Sequence, residues 1–168
     1  SLARNKKSVT LDLQNPRGRE LARALAAQSD VLIENFRPGT MEKWGMGPAD
    51  LWPKHPGLIF GRISGYGQNG PYASKPGFAS VCEGVGGFRY VNGLPGEAPV
   101  RPNLSIGDTL AGIHCVIGVL LACIQRSKTP AAADPPGPII TSSKGIMSPM
   151  PTPSISDPAS PSTTSARN

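Results

Sequence analysis

Cysteine is scarce in this chain, and none of it is spaced to hold a metal. Cys82, Cys115 and Cys123 form neither a C-x-x-C pair nor a Cys/His pattern. Cys115 and Cys123 fall inside an apolar run, where they read as small buried hydrophobes. An odd count with no visible secretory leader argues for a reducing compartment, cytoplasmic or mitochondrial. No basic run is interleaved with aromatics, which argues against a nucleic-acid surface. Membrane-length hydrophobic runs are missing too. The longest apolar stretch, residues 109–124, falls short of the ~20 residues a span needs and carries His114. It is expected to be a buried helix of a soluble protein. Aromatics are absent from residues 130–168, which hold 9 of the 19 prolines, 8 serines and 4 threonines. Such a stretch buries too little apolar surface to offset its ordering entropy, and disorder is expected there.

What is present lies in residues 1–129. The net charge of +6 belongs wholly to this part, because Lys144 and Arg167 cancel Asp134 and Asp157 in the tail. Scattered positive charge suits a pocket for a small polyanion. Residues 8–13 alternate and are rich in branched side chains, which predicts a strand. Asn15-Pro16 is an N-cap followed by a proline suited to the first helical turn, predicting a helix over 16–28. Residues 30–35 form a nearly continuous apolar strand of the kind buried in a parallel sheet. Short helices near 40–44 and 48–52 follow, then a strand over 57–64. A glycine-rich loop at 65–75, a helix over 78–86, a turn-rich stretch at 92–97 and a helix over 106–126, capped by Ser105, complete the pattern. This order defines an α/β class: an open, mostly parallel Rossmann-like sheet with flanking helices. With no starting methionine and no first strand, the sequence is expected to be truncated at the front.

Three places could carry chemistry. Gly65-Tyr66-Gly67-Gln68-Asn69-Gly70 matches G-x-G-x-x-G after a strand, but Pro71 and Pro76-Gly77 leave no room for the helix a dinucleotide site requires. The loop can still line a ligand, since glycines let backbone N–H groups come close. Asn35, Phe36 and Arg37 follow a strand end, where open α/β sheets gather ligands. Asn35 could bind a polar group, Phe36 could stack on a flat ring and Arg37 could meet a phosphate; a plain strand-to-helix turn explains them equally. Asp108 begins the 106–126 helix. Ser105 to Asp108 is S-x-x-D, a capping-box variant, and an acid there favours the helix dipole. The same dipole would keep a nucleophilic carboxylate ionised, with Gly107 leaving room for an acyl group. His114, six residues on and about 240° around the helix, does not share its face.

Five strings occur together in order: residues 4–8 (RNKKS), 30–39 (DVLIENFRPG), 64–72 (SGYGQNGPY), 100–102 (VRP) and 105–112 (SIGDTLAG). They resemble the family III CoA-transferases, a group that includes formyl-CoA, carnitine and succinate–dicarboxylate CoA-transferases. The resemblance spans about residues 2–129 and implies an α/β fold of roughly three times that length. It places the family's catalytic aspartate on Asp108 and CoA contacts on Leu11, Asn35, Phe36, Lys43 and the Lys75-Pro76 turn; Arg37 joins them as a phosphate partner. It implies coenzyme A or acyl-CoA as a substrate rather than a resident cofactor, a carboxylic acid acceptor, and an interlocked homodimer. Oxyanion donors would come from a glycine loop outside this chain. The family also contains acyl-CoA racemases, but their histidine would fall on Phe78, which cannot carry a proton. Where formyl-CoA transferase would have a tyrosine and an acid, Phe78 and Ala79 stand, which favours a dicarboxylate acceptor over oxalate. Beyond Thr129 the family pattern is lost, and a shifted reading frame or unspliced intron is the expected origin. Low activity, or a CoA-binding remnant without turnover, is expected of the chain as it stands.

Overall fold

The computed structural model describes residues 4–128 and 139–143. Helix α1 (Pro16–Ala26) starts where expected: the Asn15 side chain accepts the Arg17 N–H at 2.9 Å, and Pro16 takes the first turn. Strand β1 (Val31–Glu34) follows, then α2 (Thr40–Lys43), α3 (Pro48–Leu51) and β2 (Ile59–Ser64). Helix α4 (Ala79–Val85), helix α5 (Ile106–Lys128) and strand β3 (Ile139–Ser143) complete the described elements. The sheet is parallel throughout in the order β1-β2-β3, with Val31 opposite Ile59 and Phe60 opposite Ile139. An open parallel sheet with helices is the predicted class.

Two expectations about strands are corrected. Residues 8–13 form no strand. Asp12 closes a local turn instead: its carboxylate accepts the Gln14 N–H at 2.9 Å and its carbonyl the Asn15 N–H at 3.2 Å. Such side-chain bonds compete with a ladder, and Leu11 and Leu13 line a cavity beside β1. In the other direction, Ile139–Ser143 is a strand inside the stretch expected to be disordered. Ile139, Ile140 and Thr141 are β-branched, and β2 offers them a free edge. The rest of the tail expectation lies outside the described residues.

The core sits on β2. Phe60 is fully buried among Ala26, Leu51 and Leu58, with Leu32, Trp52 and Ile139 against it. Burying one such side chain stabilises by about 1.5–3 kcal/mol. Trp52 meets Phe60 edge-on at 5.8 Å and donates its indole N–H to the Leu58 carbonyl at 2.9 Å, so its polar atom is satisfied as well.

Helix α5 packs on β2 and β3 in a way that overturns the expectation of a buried helix. Its buried positions are the small ones: Gly107, Ala111, Cys115 and Ala122. Gly118 belongs to the same stripe, since a Cβ there would come 2.4 Å from Ile140 Cγ2. From the sheet side, Gly61 makes room, as its Cβ would meet Cys115 Sγ at 3.0 Å and Ile33 Cγ1 at 3.1 Å. Small residues let helix and sheet approach closely, and the bulk is turned outward. Leu110, Ile113, Ile117, Leu120, Leu121 and Ile124 are all exposed. At 23 residues α5 is long and apolar enough to cross a membrane by length and composition, a test that core helices of soluble proteins also pass. Its far end is pinned: Arg126 donates to the Gly57 carbonyl at 2.9 Å and to Asp30 Oδ1 at 2.8 Å.

Candidate functional site

At the carboxyl ends of β1 and β2 lies a cavity of about 180 Å³, lined by Asn35, Phe36, Arg37 and Pro38, by Ser64 and Gly65, and by the turn from Lys75 to Phe78. Two loops make it. One leaves β1: the Glu34 carboxylate accepts the Phe36 N–H at 2.6 Å, and the Arg37 carbonyl accepts the Thr40 N–H at 3.1 Å, so the chain turns directly into α2. Phe36 is held edge-on against Trp44 at 5.1 Å. The other loop leaves β2 and returns. Gly65 and Gly77 touch so closely that a Cβ on Gly65 would lie 2.8 Å from Gly77 Cα. Gly67 (φ +86°) and Gly70 (φ +96°) take left-handed conformations that L side chains rarely adopt. Tyr66 and Tyr72 pack edge to face at 5.7 Å, and the Lys75 ammonium stands 4.0 Å over the Tyr72 ring.

Four of the seven residues singled out from the sequence therefore line one cavity: Asn35, Phe36 and Arg37 from the loop after β1, and Lys75 from the loop after β2. Three stand elsewhere. Lys43 ends α2 on the surface, outside the lining. Leu11 lines a second, larger cavity of about 440 Å³ with Leu13, Val31 and Leu32; Phe36 lines both cavities. Asp108 lies in the first turn of α5, exposed, and is not among the residues lining the 180 Å³ cavity. Its link to the cavity runs through α4. Phe78, the residue before α4, lines the cavity, and Glu83 in the same helix accepts the Gly107 N–H at 3.0 Å. Ser105 receives two bonds at its carbonyl, from the Thr109 N–H (3.1 Å) and the Thr109 hydroxyl (2.9 Å), as the residue opening α5 should. The His114 Nδ1 sits 2.8 Å from the Leu110 carbonyl, satisfied within its own helix.

Sequence reasoning missed three buried polar groups here. Ser64 lines the cavity, and its hydroxyl is buried with no partner among the described residues. Glu83 is buried, with Oε1 on Gly107 and Oε2 without a partner among the described residues. Arg62, in the middle of β2, is buried against Glu34 and Glu42. Each had a signal: one polar residue in a run otherwise apolar or small, which on a buried strand or helix must find a partner. Burial works to lower the Arg62 pKa, but hydrogen bonds to Glu42 and Glu34 outweigh it and raise the value above that of a free arginine. The Arg62 hydrogen bond holds the Glu42 carboxyl below its ordinary value against the opposing effect of burial. Burial pushes the Cys115 thiol up, so it stays protonated. No cluster of three or more His, Cys, Asp or Glu side chains fit for a metal occurs among the described residues.

A pocket outside the carboxyl ends of parallel strands, walled by a strand-end loop and a glycine loop, stands where open α/β sheets take their ligands. The sequence profile described as CoA-transferase family III matches residues 1–134, and the chain belongs to that family. Among curated relatives, succinyl-CoA–D-citramalate CoA-transferase of Chloroflexus aurantiacus is 48% identical over 128 residues, covering 76% of this chain and 32% of the relative. Human alpha-methylacyl-CoA racemase is 39% identical over 129 residues, covering 76% and 34%. Among solved structures, a CAIB/BAIF family protein from Brucella suis superposes with a TM-score of 0.76 at 34% identity, covering 83% of this chain and 35% of that one. The chain spans about a third of the length of these curated relatives.

Proposed function

We propose that this chain carries the nucleophile and part of the coenzyme A site of an enzyme that moves CoA from an acyl-CoA donor to a carboxylic acid, dicarboxylic by preference. The observation that carries this reading is the cavity at the strand ends that Asn35, Phe36, Arg37 and Lys75 line together, in a chain of this family. Phe36 offers a ring for the adenine, Arg37 and Lys75 offer cations for phosphates, and Lys43 and Leu11 extend the contact beyond the cavity. The body's positive charge fits a ligand bearing a pyrophosphate and a further phosphate.

Asp108 is the nucleophile in this scheme. Its carboxylate attacks the donor thioester carbonyl and expels CoA as thiolate, leaving an aspartyl–acyl anhydride. The thiolate attacks the aspartyl carbonyl and releases the donor carboxylate, leaving an aspartyl-CoA thioester. The acceptor carboxylate then attacks that thioester, the thiolate leaves again, and its attack on the acceptor's acyl carbonyl forms the product and frees Asp108. Donors that stabilise the oxyanions would come from other parts of the longer protein or from a second subunit. A homodimer in a cytoplasmic or mitochondrial setting fits this scheme.

A second reading, acyl-CoA racemase, draws on the similarity to the human racemase. Phe78 counts against it: the position the resemblance assigns to the racemase histidine holds a benzyl side chain on the cavity wall. A third, CoA binding without turnover, differs only in outcome. The test is twofold. Calorimetry on the 168-residue chain should give CoA binding that Phe36→Ala weakens, and no binding would remove the cavity assignment. Incubating the longer parent with acyl-CoA and hydroxylamine should convert Asp108 to a hydroxamate, found by mass spectrometry and absent in Asp108→Asn. Labelling elsewhere, or full turnover by that variant, would sink the nucleophile.

A further inference from the structure

Arg62 ties together the two sides of the Phe36 loop. The residue is 6% exposed, and its side chain uses three nitrogens: Nε donates to Glu34 Oε1 at 2.8 Å, Nη1 to Glu42 Oε1 at 2.7 Å and Nη2 to Glu42 Oε2 at 3.1 Å. The bond pair to Glu42 is the planar fork that only a guanidinium makes. The remaining Glu34 oxygen, Oε2, accepts the Phe36 N–H at 2.6 Å. Glu42 belongs to α2, which leads directly to Trp44, the ring that Phe36 meets edge-on. Phe36 is thus anchored twice, by its backbone through Glu34 and by its ring through the segment that Glu42 fixes. Both anchors end on Arg62.

The Arg62–Glu34 pair is buried, and a buried ion pair is a poor device for stability alone, since apolar residues of similar volume serve as well or better. What it does supply is geometry, and here the geometry concerns one wall of the cavity. We propose that Arg62 is a positioning residue for coenzyme A: it touches no ligand itself, and through Glu34 and Glu42 it sets Phe36 in the orientation that receives the ligand's flat ring. This rests on the reading of the cavity as a CoA site. It assigns to a residue buried in the middle of β2 a role in affinity that the cavity lining does not reveal.

The experiment uses the 168-residue chain and two readouts. Amide hydrogen exchange compares the Phe36 N–H with the Phe60 N–H in β2. Arg62→Lys supplies the charge without the fork, and it should speed exchange at Phe36 by about tenfold more than at Phe60, the loss of roughly one charge-assisted bond. Calorimetry with CoA should show affinity falling about tenfold in Arg62→Lys, but less than about twofold when the same change is made on a Phe36→Ala background, as coupled residues require. Equal acceleration at Phe36 and Phe60 means a loss of overall stability only and overturns the proposal. An affinity loss undiminished in Phe36→Ala also overturns it. If Arg62→Lys does not fold, Glu42→Gln opens the fork at its half-exposed end and should speed Phe36 exchange in the same selective way; unchanged exchange overturns the proposal. Should the unaltered chain bind no CoA, the cavity reading fails by itself, and the exchange data still decide whether Arg62 positions Phe36.

Discussion

The Glu83 carboxylate, on α4, accepts the N–H of Gly107, in the first turn of α5, at 3.0 Å. Both residues are buried. One of the donors that an α-helix leaves unmade at its start is satisfied here by a neighbouring helix, and the residue it steadies is next to Asp108.

Removing that acceptor leaves a buried N–H without a partner. Glu83→Ala should destabilise the chain by about 1–3 kcal/mol, and Glu83→Gln, which keeps a carbonyl oxygen at the same reach, by less. Urea denaturation measures both. The same pair should separate in amide exchange at the first turn of α5, with faster exchange in the alanine variant. Equal stability for all three proteins would show that the contact contributes nothing.

Glu42 makes stability depend on pH with a definite sign. Its folded pKa lies below the ordinary value of 4.5, chiefly through the bond to Arg62. A carboxyl depressed by folding adds stability above its unfolded pKa and loses it as pH falls through the folded value. The stability gap between the unaltered chain and Glu42→Gln should therefore be flat near neutrality and close below about pH 4. Glu42 is half exposed, so the gap at neutral pH should be modest, about 0.5–1 kcal/mol. Thermal melts across a pH series test this, and a gap that widens in acid would contradict it.

Gly65→Ala tests the cavity rather than the core. The new methyl meets Gly77 Cα at 2.8 Å, a backbone atom that cannot swing aside. The 75–78 turn must move, taking Lys75 and Phe78 with it. CoA affinity should fall at least tenfold while stability falls by about 1–3 kcal/mol. Gly70→Ala is the control: nothing lies within 4 Å of its Cβ, and it bears only the cost of a positive φ. Similar CoA affinity for both variants would show that the Gly65–Gly77 contact does not shape the pocket.

Local chemistry made much of the architecture legible. Asn15-Pro16 marked the start of α1, and the apolar run at 30–35 marked a parallel strand but not its burial: as an edge of the described sheet, β1 buries only Glu34 and leaves Ile33 57% exposed. The α2 and α3 turns fell within a residue of their expected ends. Residues 8–13 misled because alternation describes a strand's faces and says nothing of its partner, and Asp12 took the backbone into a turn. Residues 139–143 misled in reverse, since a prolyl, seryl composition averaged over 39 residues hides three consecutive β-branched ones. The helix at 106–126 was legible as a helix but not in its orientation. Its hydrophobic bulk suggested burial, while its Gly, Ala and Cys positions, four or three apart, are the ones that face the sheet. At the site, Asn35, Phe36, Arg37 and Lys75 were legible from the strand-end position and the family resemblance. Arg62, Glu34, Glu42 and Glu83 make their contacts near that site between residues 20 to 28 positions apart, which no local pattern records.

The outward side of α5 has a bearing on how long the protein survives in a cell. A ladder of leucine and isoleucine open to water is a contact or aggregation surface, and conditions that leave it uncovered favour loss of the chain from solution. How much of the polypeptide persists would then depend on how quickly that greasy flank is sheltered after synthesis.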